Sequence, residues 1–214
     1  MKLLLTSDGP TTQPIQEALS ELAGKPFGAL KFVCITTAIN RDGGDKTKKI
    51  KRIAGLHALG FAQFDLVDVA AIERQYWLPR LEDSDVIFVL GGNTYYLLDE
   101  VRKSGLANEL PKLLETRVYV GDSAGSILVT PSIDVAEIDD GDENIVGIKD
   151  TSGLGLVEFE VSPHTPEDVS LKANEDYAKT IDNKLVAYDN NMAVKVDNNK
   201  IEMVGDGKYW EYNK

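Results

Sequence analysis

A serine hydroxyl attacks a carbonyl only when it is held in the open and a neighbouring base can take its proton. Residues Gly121-Asp122-Ser123-Ala124-Gly125 match G-x-S-x-G and follow the apolar run Val118-Tyr119-Val120. A strand-to-helix turn of this kind is a nucleophile elbow. It lifts the serine out of the sheet and turns the next N–H, with the start of the helix, toward negative charge developing beside it. The chemistry indicated is nucleophilic attack by Ser123. Small residues between a strand and a helix also make ordinary tight turns, so the motif acquires meaning only from its surroundings.

The base must come from one of two histidines. His57 falls on the apolar face of a predicted helix, where a packed core histidine is the ordinary expectation. His164 ends a predicted strand, between Pro163 and Thr165-Pro166-Glu167-Asp168. Thr165 is predicted as a helix cap with Pro166 at the first helical position, which would hold His164 on a rigid junction. The plainer alternative is a surface-loop histidine. Because a helix N-terminus disfavours imidazolium, a nearby carboxylate would be needed.

Positioning such groups takes a framework, and the apolar pattern supplies one. Strands are predicted near 2–6, 30–36, 63–69, 85–90 and 117–121, with helices between, over the first 130 residues. That alternation predicts a three-layer α/β sandwich, with a mainly parallel central sheet and helices on both faces. Ile15, Ala18, Leu19 and Leu22 recur at helical spacing before Gly24, and Ile50, Ile53, Ala54, His57 and Ala58 do so after the loop Asn40-Arg41-Asp42-Gly43-Gly44-Asp45. Asp85 to Leu90 is a buried strand ending in Gly91-Gly92-Asn93-Thr94, with a helix from Thr94 to near Gly105. Two parallel strands then end side by side in loops, the usual place for a ligand in an open α/β sheet.

Beyond residue 130 come an acidic segment at 134–144, a strand at 154–161, a helix over about 166–180 and short strands. Val194 to Met203 alternates about Asp197-Asn198-Asn199 and reads as a C-terminal edge hairpin. No repeat or linker divides residues 1–214, which are read as one domain.

Gly91-Gly92-Asn93-Thr94, the Gly-Asp-Ser-Ala-Gly turn about thirty residues on and Ser162-Pro163-His164 resemble the peptidase E family of serine peptidases, relatives of the class I glutamine amidotransferase-like folds. The resemblance covers nearly the whole chain. It implies an aspartyl dipeptidase type of activity, cleaving after an N-terminal aspartate, with Ser123 as nucleophile and His164 as base. Related branches include cyanophycin-degrading enzymes. It also implies a third, acidic member between the two, where alignment by position falls between Glu137 and Asp139. Asp134, Asp140, Asp142, Glu143 and Asp150 share the segment; Asp139 is chosen, with a solvated acidic loop as the alternative and Asp189 as an outside candidate.

An oxyanion needs two donors. The elbow places Ala124 N–H, and the resemblance points to Gly92 N–H for the second. Gly91 and Asn93 flank it as candidate substrate contacts, Asn93 with the alternative of capping the helix at Thr94. Recognition of an aspartate side chain calls for a fixed cation, preferably arginine. No arginine follows Arg117, and the helix after His164 carries Lys172 and Lys179 instead, so a different dipeptide or short peptide fits equally. Rival readings are a cyanophycinase-like or other hydrolase, and a silent family member that serves as a binding scaffold.

Composition narrows the classes. Net charge is −12, which disfavours nucleic acid and anionic membrane surfaces as partners. The 214 residues include no stretch long enough to span a bilayer, and the short apolar start reads as a first strand rather than a signal peptide. One cysteine, Cys34, allows no internal disulfide, favours a cytoplasmic protein and sits in a predicted buried strand. Neither zinc-ligand nor phosphate-loop spacing is present, and no metal or cofactor is expected. Edge strands and small size fit a homodimer.

Overall fold

The computed structural model describes residues 1–41 and 43–213; Asp42, in the predicted 40–45 loop, lies outside them. Five strands are parallel: β1 (Lys2–Thr6), β2 (Lys31–Ile35), β3 (Gln63–Val67), β4 (Val86–Val89) and β5 (Val118–Asp122). The second sheet takes β6 (Glu160–Ser162), β7 (Leu185–Tyr188) and β10 (Tyr209–Tyr212), and the predicted hairpin is β8 (Met192–Asp197) with β9 (Lys200–Gly205). Order across the main sheet is β3-β2-β4-β5-β1-β8-β9, the last two antiparallel.

Alternation along each strand sends side chains to opposite faces. Leu3, Leu5, Val33, Ile35, Ile87, Val89 and Tyr119 enter one core, while Leu4, Phe32, Cys34, Val86, Phe88, Val118 and Val120 enter the other. The first core is covered by α3 (Arg74–Glu82), α4 (Thr94–Lys103), α5 (Leu106–Leu113) and the short α6 (Ala124–Leu128), through Trp77, Leu81, Leu97, Leu98, Leu110 and Ile127. The second is covered by α1 (Gln13–Ala23), through Ile15, Leu19 and Leu22, and by α2 (Thr47–Ala58), through Ile53 and Leu56. The chain is therefore an α/β sandwich with helices on both faces of a mostly parallel sheet.

Cys34 is fully buried in this second core. Burial, with the Asp122 carboxylate adding to it, pushes its thiol well above the ordinary range, so the sulfur is protonated at pH 8. Native protein is expected to resist a thiol reagent such as DTNB at pH 8 and to react fully once denaturant opens the core. Rapid reaction of the folded protein would contradict this packing.

Three predicted elements differ. In α2 the inward stripe is Ile53 and Leu56, with Ile50, Ala54, His57 and Ala58 exposed. His57 is thus not a core residue; its ring meets Phe64 edge-on at 5.5 Å. The helix is rolled so that Arg52 faces inward, toward two carboxylates. Of the predicted 154–161 strand only β6 forms, because the earlier N–H groups bond the end of α6: Leu154 to Leu128 O at 2.8 Å and Leu156 to Val129 O at 2.8 Å. The predicted 166–180 helix is α7 (Leu171–Ala178), capped by Ser170, whose Oγ accepts from Ala173 N at 3.1 Å. Thr165 is buried and bonds the strands instead, through N–H to Tyr188 O at 3.0 Å.

Candidate active site

All five parallel strands deliver their carboxyl ends to one edge, and the elbow lies there. β5 runs into Asp122, Ser123 opens α6, and Ser123 N–H still donates to Thr6 O at 2.9 Å as though the strand continued. The turn is sharp: Ser123 has φ 53° and ψ −112°, a conformation that L residues rarely adopt and that persists only where the surroundings enforce it. Gly125 is one enforcer, since a Cβ there would run into the Val89 carbonyl, 3.0 Å from its carbon. Gly125→Ala is expected to destabilise the fold by about 1–3 kcal/mol through overpacking, read by chemical denaturation, and to displace the elbow. A variant as stable as the parent would show that β4 and α6 can separate freely.

Ser123 faces a cavity of about 470 Å³ lined also by Ser7, Asp8, Lys48, Lys49, Arg52, Gly92 and His164. A second cavity of about 270 Å³ adjoins it, sharing Ser123 and His164 and walled by the 135–142 loop. His164, like Ser123, has positive φ, at 61°. Its backbone N–H donates to Ser7 Oγ at 2.9 Å, and Ser7 Oγ donates to Asp189 O at 3.2 Å, so the hydroxyl after β1 pins both the histidine and the turn after β7. Among the described residues no hydrogen bond joins Ser123 to His164; they share the cavity wall.

The partner of the imidazole is Asn190, whose Oδ1 lies 2.6 Å from His164 Nδ1. An amide oxygen only accepts, so Nδ1 carries the proton and Nε2 is left as the acceptor of the neutral ring. Asp168 Oδ2 is 4.0 Å from the same nitrogen, on an exposed side chain. Asp139, expected as the third member, is not against the histidine: it is exposed and its Oδ2 accepts from Ser170 N at 2.6 Å. That bond holds its carboxyl below the usual range. Asp189 closes its own turn, accepting from Asn191 N at 2.9 Å and Lys208 N at 2.6 Å. Asn190, one residue beyond Asp189, is an amide in a place where a carboxylate is the expected partner of a base.

The Gly91–Asn93 turn is shared out between duties. Gly91 N–H donates to Asp122 Oδ2 at 3.2 Å and Asn93 N–H to Ala38 O at 3.3 Å. The Asn93 side chain is engaged as well, its Oδ1 capping α4 through Tyr96 N at 2.9 Å and its Nδ2 donating to Glu143 O at 2.9 Å. Gly91 N–H is thus spent, while Asn93, which lines the cavity, keeps one Nδ2 donor beyond these bonds. Gly92 N–H and Ala124 N–H have no partner among the described residues. A Cβ at Gly92 would come within 2.6 Å of the Ala38 carbonyl carbon, so only glycine lets the turn lie this close to the end of β2.

Beneath the turn, Arg52 and Asp122 form a pair that the sequence did not reveal. Arg52 Nε and Nη2 donate to the two oxygens of Asp122 at 3.0 and 2.5 Å, and Nη1 donates to Asp8 Oδ1 at 2.7 Å. Burial pushes the Asp122 carboxyl up, and Arg52 and Gly91 N–H oppose that rise. Burial also works against the guanidinium, yet Asp122 and Asp8 hold it above its usual range. The two-point geometry fits an ionised pair. Lys48 and Lys49, on the same helix, line the cavity without an ion pair among the described residues.

The fold is a mostly parallel α/β sandwich that carries a serine on the turn from a strand to a helix. The sequence matches the profile of peptidase family S51 over residues 3–204, and the chain belongs to that family. It is 29% identical over 142 residues to an uncharacterized peptidase of Pasteurella multocida, covering 64% of this chain and 68% of that one. To a peptidase E of Salmonella arizonae it is 30% identical over 171 residues, covering 77% and 69%. The crystal structure of a Listeria monocytogenes protein assigned to peptidase E superposes with a TM-score of 0.74 at 23% identity, over 94% of this chain and 96% of that one, and shares the fold. No helix among the described residues is long and apolar enough to cross a membrane.

Proposed function

We propose that this protein is a serine peptidase that hydrolyses dipeptides or other short peptides through an acyl-enzyme on Ser123. The observation that carries the reading is the imidazole of His164, turned by Asn190 so that Nε2 can accept a proton, across one cavity from a serine held at positive φ. Nε2 takes the Ser123 proton as Oγ attacks the carbonyl, and the oxyanion is bound by Gly92 N–H and Ala124 N–H. The C–N bond then breaks as the imidazolium returns the proton to the leaving amine. Water, deprotonated by the same nitrogen, attacks the ester, releases the acid and restores Ser123. α6 has only five residues, so its first N–H contributes more than any helix dipole.

Asn190 orients the base without adding charge, which separates this site from one built on a carboxylate. For the substrate, Lys48 and Lys49 favour a carboxylate at the rim, whether a side chain or the C-terminus of a dipeptide. Arg52 supplies the fixed cation that the sequence lacks after Arg117, but Asp8 and Asp122 already engage it, which weakens the case for aspartate over other first residues.

The test is intact-mass analysis after a fluorophosphonate probe, followed by a dipeptide panel with and without N-terminal aspartate. One adduct per chain, mapped to Ser123, supports the reading, and cleavage of the panel names the substrate. No adduct on folded protein would favour the silent binding member.

A further inference from the structure

Acyl transfer leaves Arg52 without a task, although its guanidinium bonds residues at the ends of two strands and reaches a third through Asp122. Asp8 follows β1, Asp122 ends β5, and the same Asp122 oxygen that accepts from Arg52 Nε also accepts from Gly91 N–H, after β4. The Asp122 side chain is only 3% exposed, and the junction forms part of the cavity wall beside Ser123. The turn it meets is made of two glycines, which carry no side chains to fix their peptide planes. Its orientation must be imposed from outside, and two bonds do so: Gly91 N–H to Asp122 and Asn93 N–H to Ala38 O. Between these anchored groups lies Gly92 N–H, the one left unspent.

We propose that Asp8, Arg52 and Asp122 form a clamp in which Arg52 is a positioning residue: it fixes the Asp122 carboxylate, which fixes Gly91, which holds Gly92 N–H toward the carbonyl attacked by Ser123. The clamp's effect on rate rests on the acyl-transfer reading; its geometry does not. Asp122 occupies the variable position of the elbow beside the nucleophile, so one residue serves both turns. Three guanidinium donors are already committed to protein carboxylates, which sets Arg52 apart from a cation waiting for substrate.

The test is Arg52→Ala, with rates expressed per folded molecule. Fluorophosphonate labelling and kcat are expected to fall about 10- to 100-fold with KM unchanged, a part of the 10²- to 10³-fold cost of losing one oxyanion donor outright. Ethylguanidinium, which can occupy the vacated fork, should restore part of the rate, whereas ethylammonium should not. Removing Arg52 leaves a buried carboxylate unpaired, so Arg52→Lys, which keeps charge but not the fork, replaces the alanine variant if that one folds poorly, with the same loss expected. Labelling at the parent rate, a loss confined to KM, or equal response to the two ions would overturn the clamp. If the parent takes no adduct, the acyl-transfer reading falls, and amide hydrogen exchange over residues 90–93 decides: faster exchange in the variant upholds the clamp and unchanged exchange overturns it.

Discussion

Ser123→Ala is expected to abolish the fluorophosphonate adduct and to lower kcat by about 10⁴-fold or more, because the other serine on the cavity wall, Ser7, already has its hydroxyl bonded to His164 N–H and Asp189 O. The hydroxyl makes no hydrogen bond that the fold depends on, and alanine retains the Cβ at the same positive φ, so the thermal midpoint should move little. Stability and activity therefore separate in this variant. Intact mass and a calorimetric scan on one preparation check both halves. Adduct formation that persists in Ser123→Ala would place the reactive group elsewhere and remove the elbow from the chemistry.

His164→Ala is the second large effect. Without an acceptor at Nε2 the serine keeps its proton, and kcat/KM should drop by about 10⁴- to 10⁶-fold, the scale of loss when one member of a unit that acts together is deleted. Asn190 sharpens this prediction. Asn190→Ala leaves the ring in place but frees it to rotate and change tautomer, for an expected loss of about 10- to 100-fold, by analogy with groups that orient a first-contact residue. Asn190→Asp should retain activity, since a carboxylate also accepts from Nδ1 and adds charge beside a forming imidazolium. Stopped-flow hydrolysis of an activated ester across the three variants tests the order. Equal rates for the parent and Asn190→Ala would mean that the 2.6 Å contact does not orient the base.

Much of the framework was legible because a mostly parallel sheet leaves strong marks. Val86 to Val89 and Val118 to Val120 are buried on both faces, so they read as continuous apolar runs, and Ile15, Leu19 and Leu22 repeat at helical spacing. What escaped depends on partners distant in sequence. The roll of α2 follows from Arg52 meeting Asp122, 70 residues away, and the apolar pattern of the helix alone favours Ile50 and Ala54 equally well. The 154–159 segment has strand-like residues, but its donors go to the end of α6. In the site, G-x-S-x-G is compact and visible, whereas the imidazole's partner is 26 residues beyond His164 and is an amide in a turn rather than an acid. Ser7 left no sequence signal, since a serine after a first strand is unremarkable until its hydroxyl is found bonding His164 N–H.

The position of β1 has a consequence for how the protein is made. Synthesised ahead of every other strand of its sheet, it is flanked in the finished sheet by β5 on one side and by β8 on the other. Until residues 192–197 have emerged, Leu3, Leu4 and Leu5 belong to an unpaired edge, the kind of surface that recruits other chains. The turn bearing Asn190 emerges just ahead of β8, so closing that edge and completing the site are nearly one late event. The cavity that holds Ser123 and His164 should thus stay incomplete until that turn and β8 have formed, and helpers that shield exposed strands would act in the interval before β8 arrives.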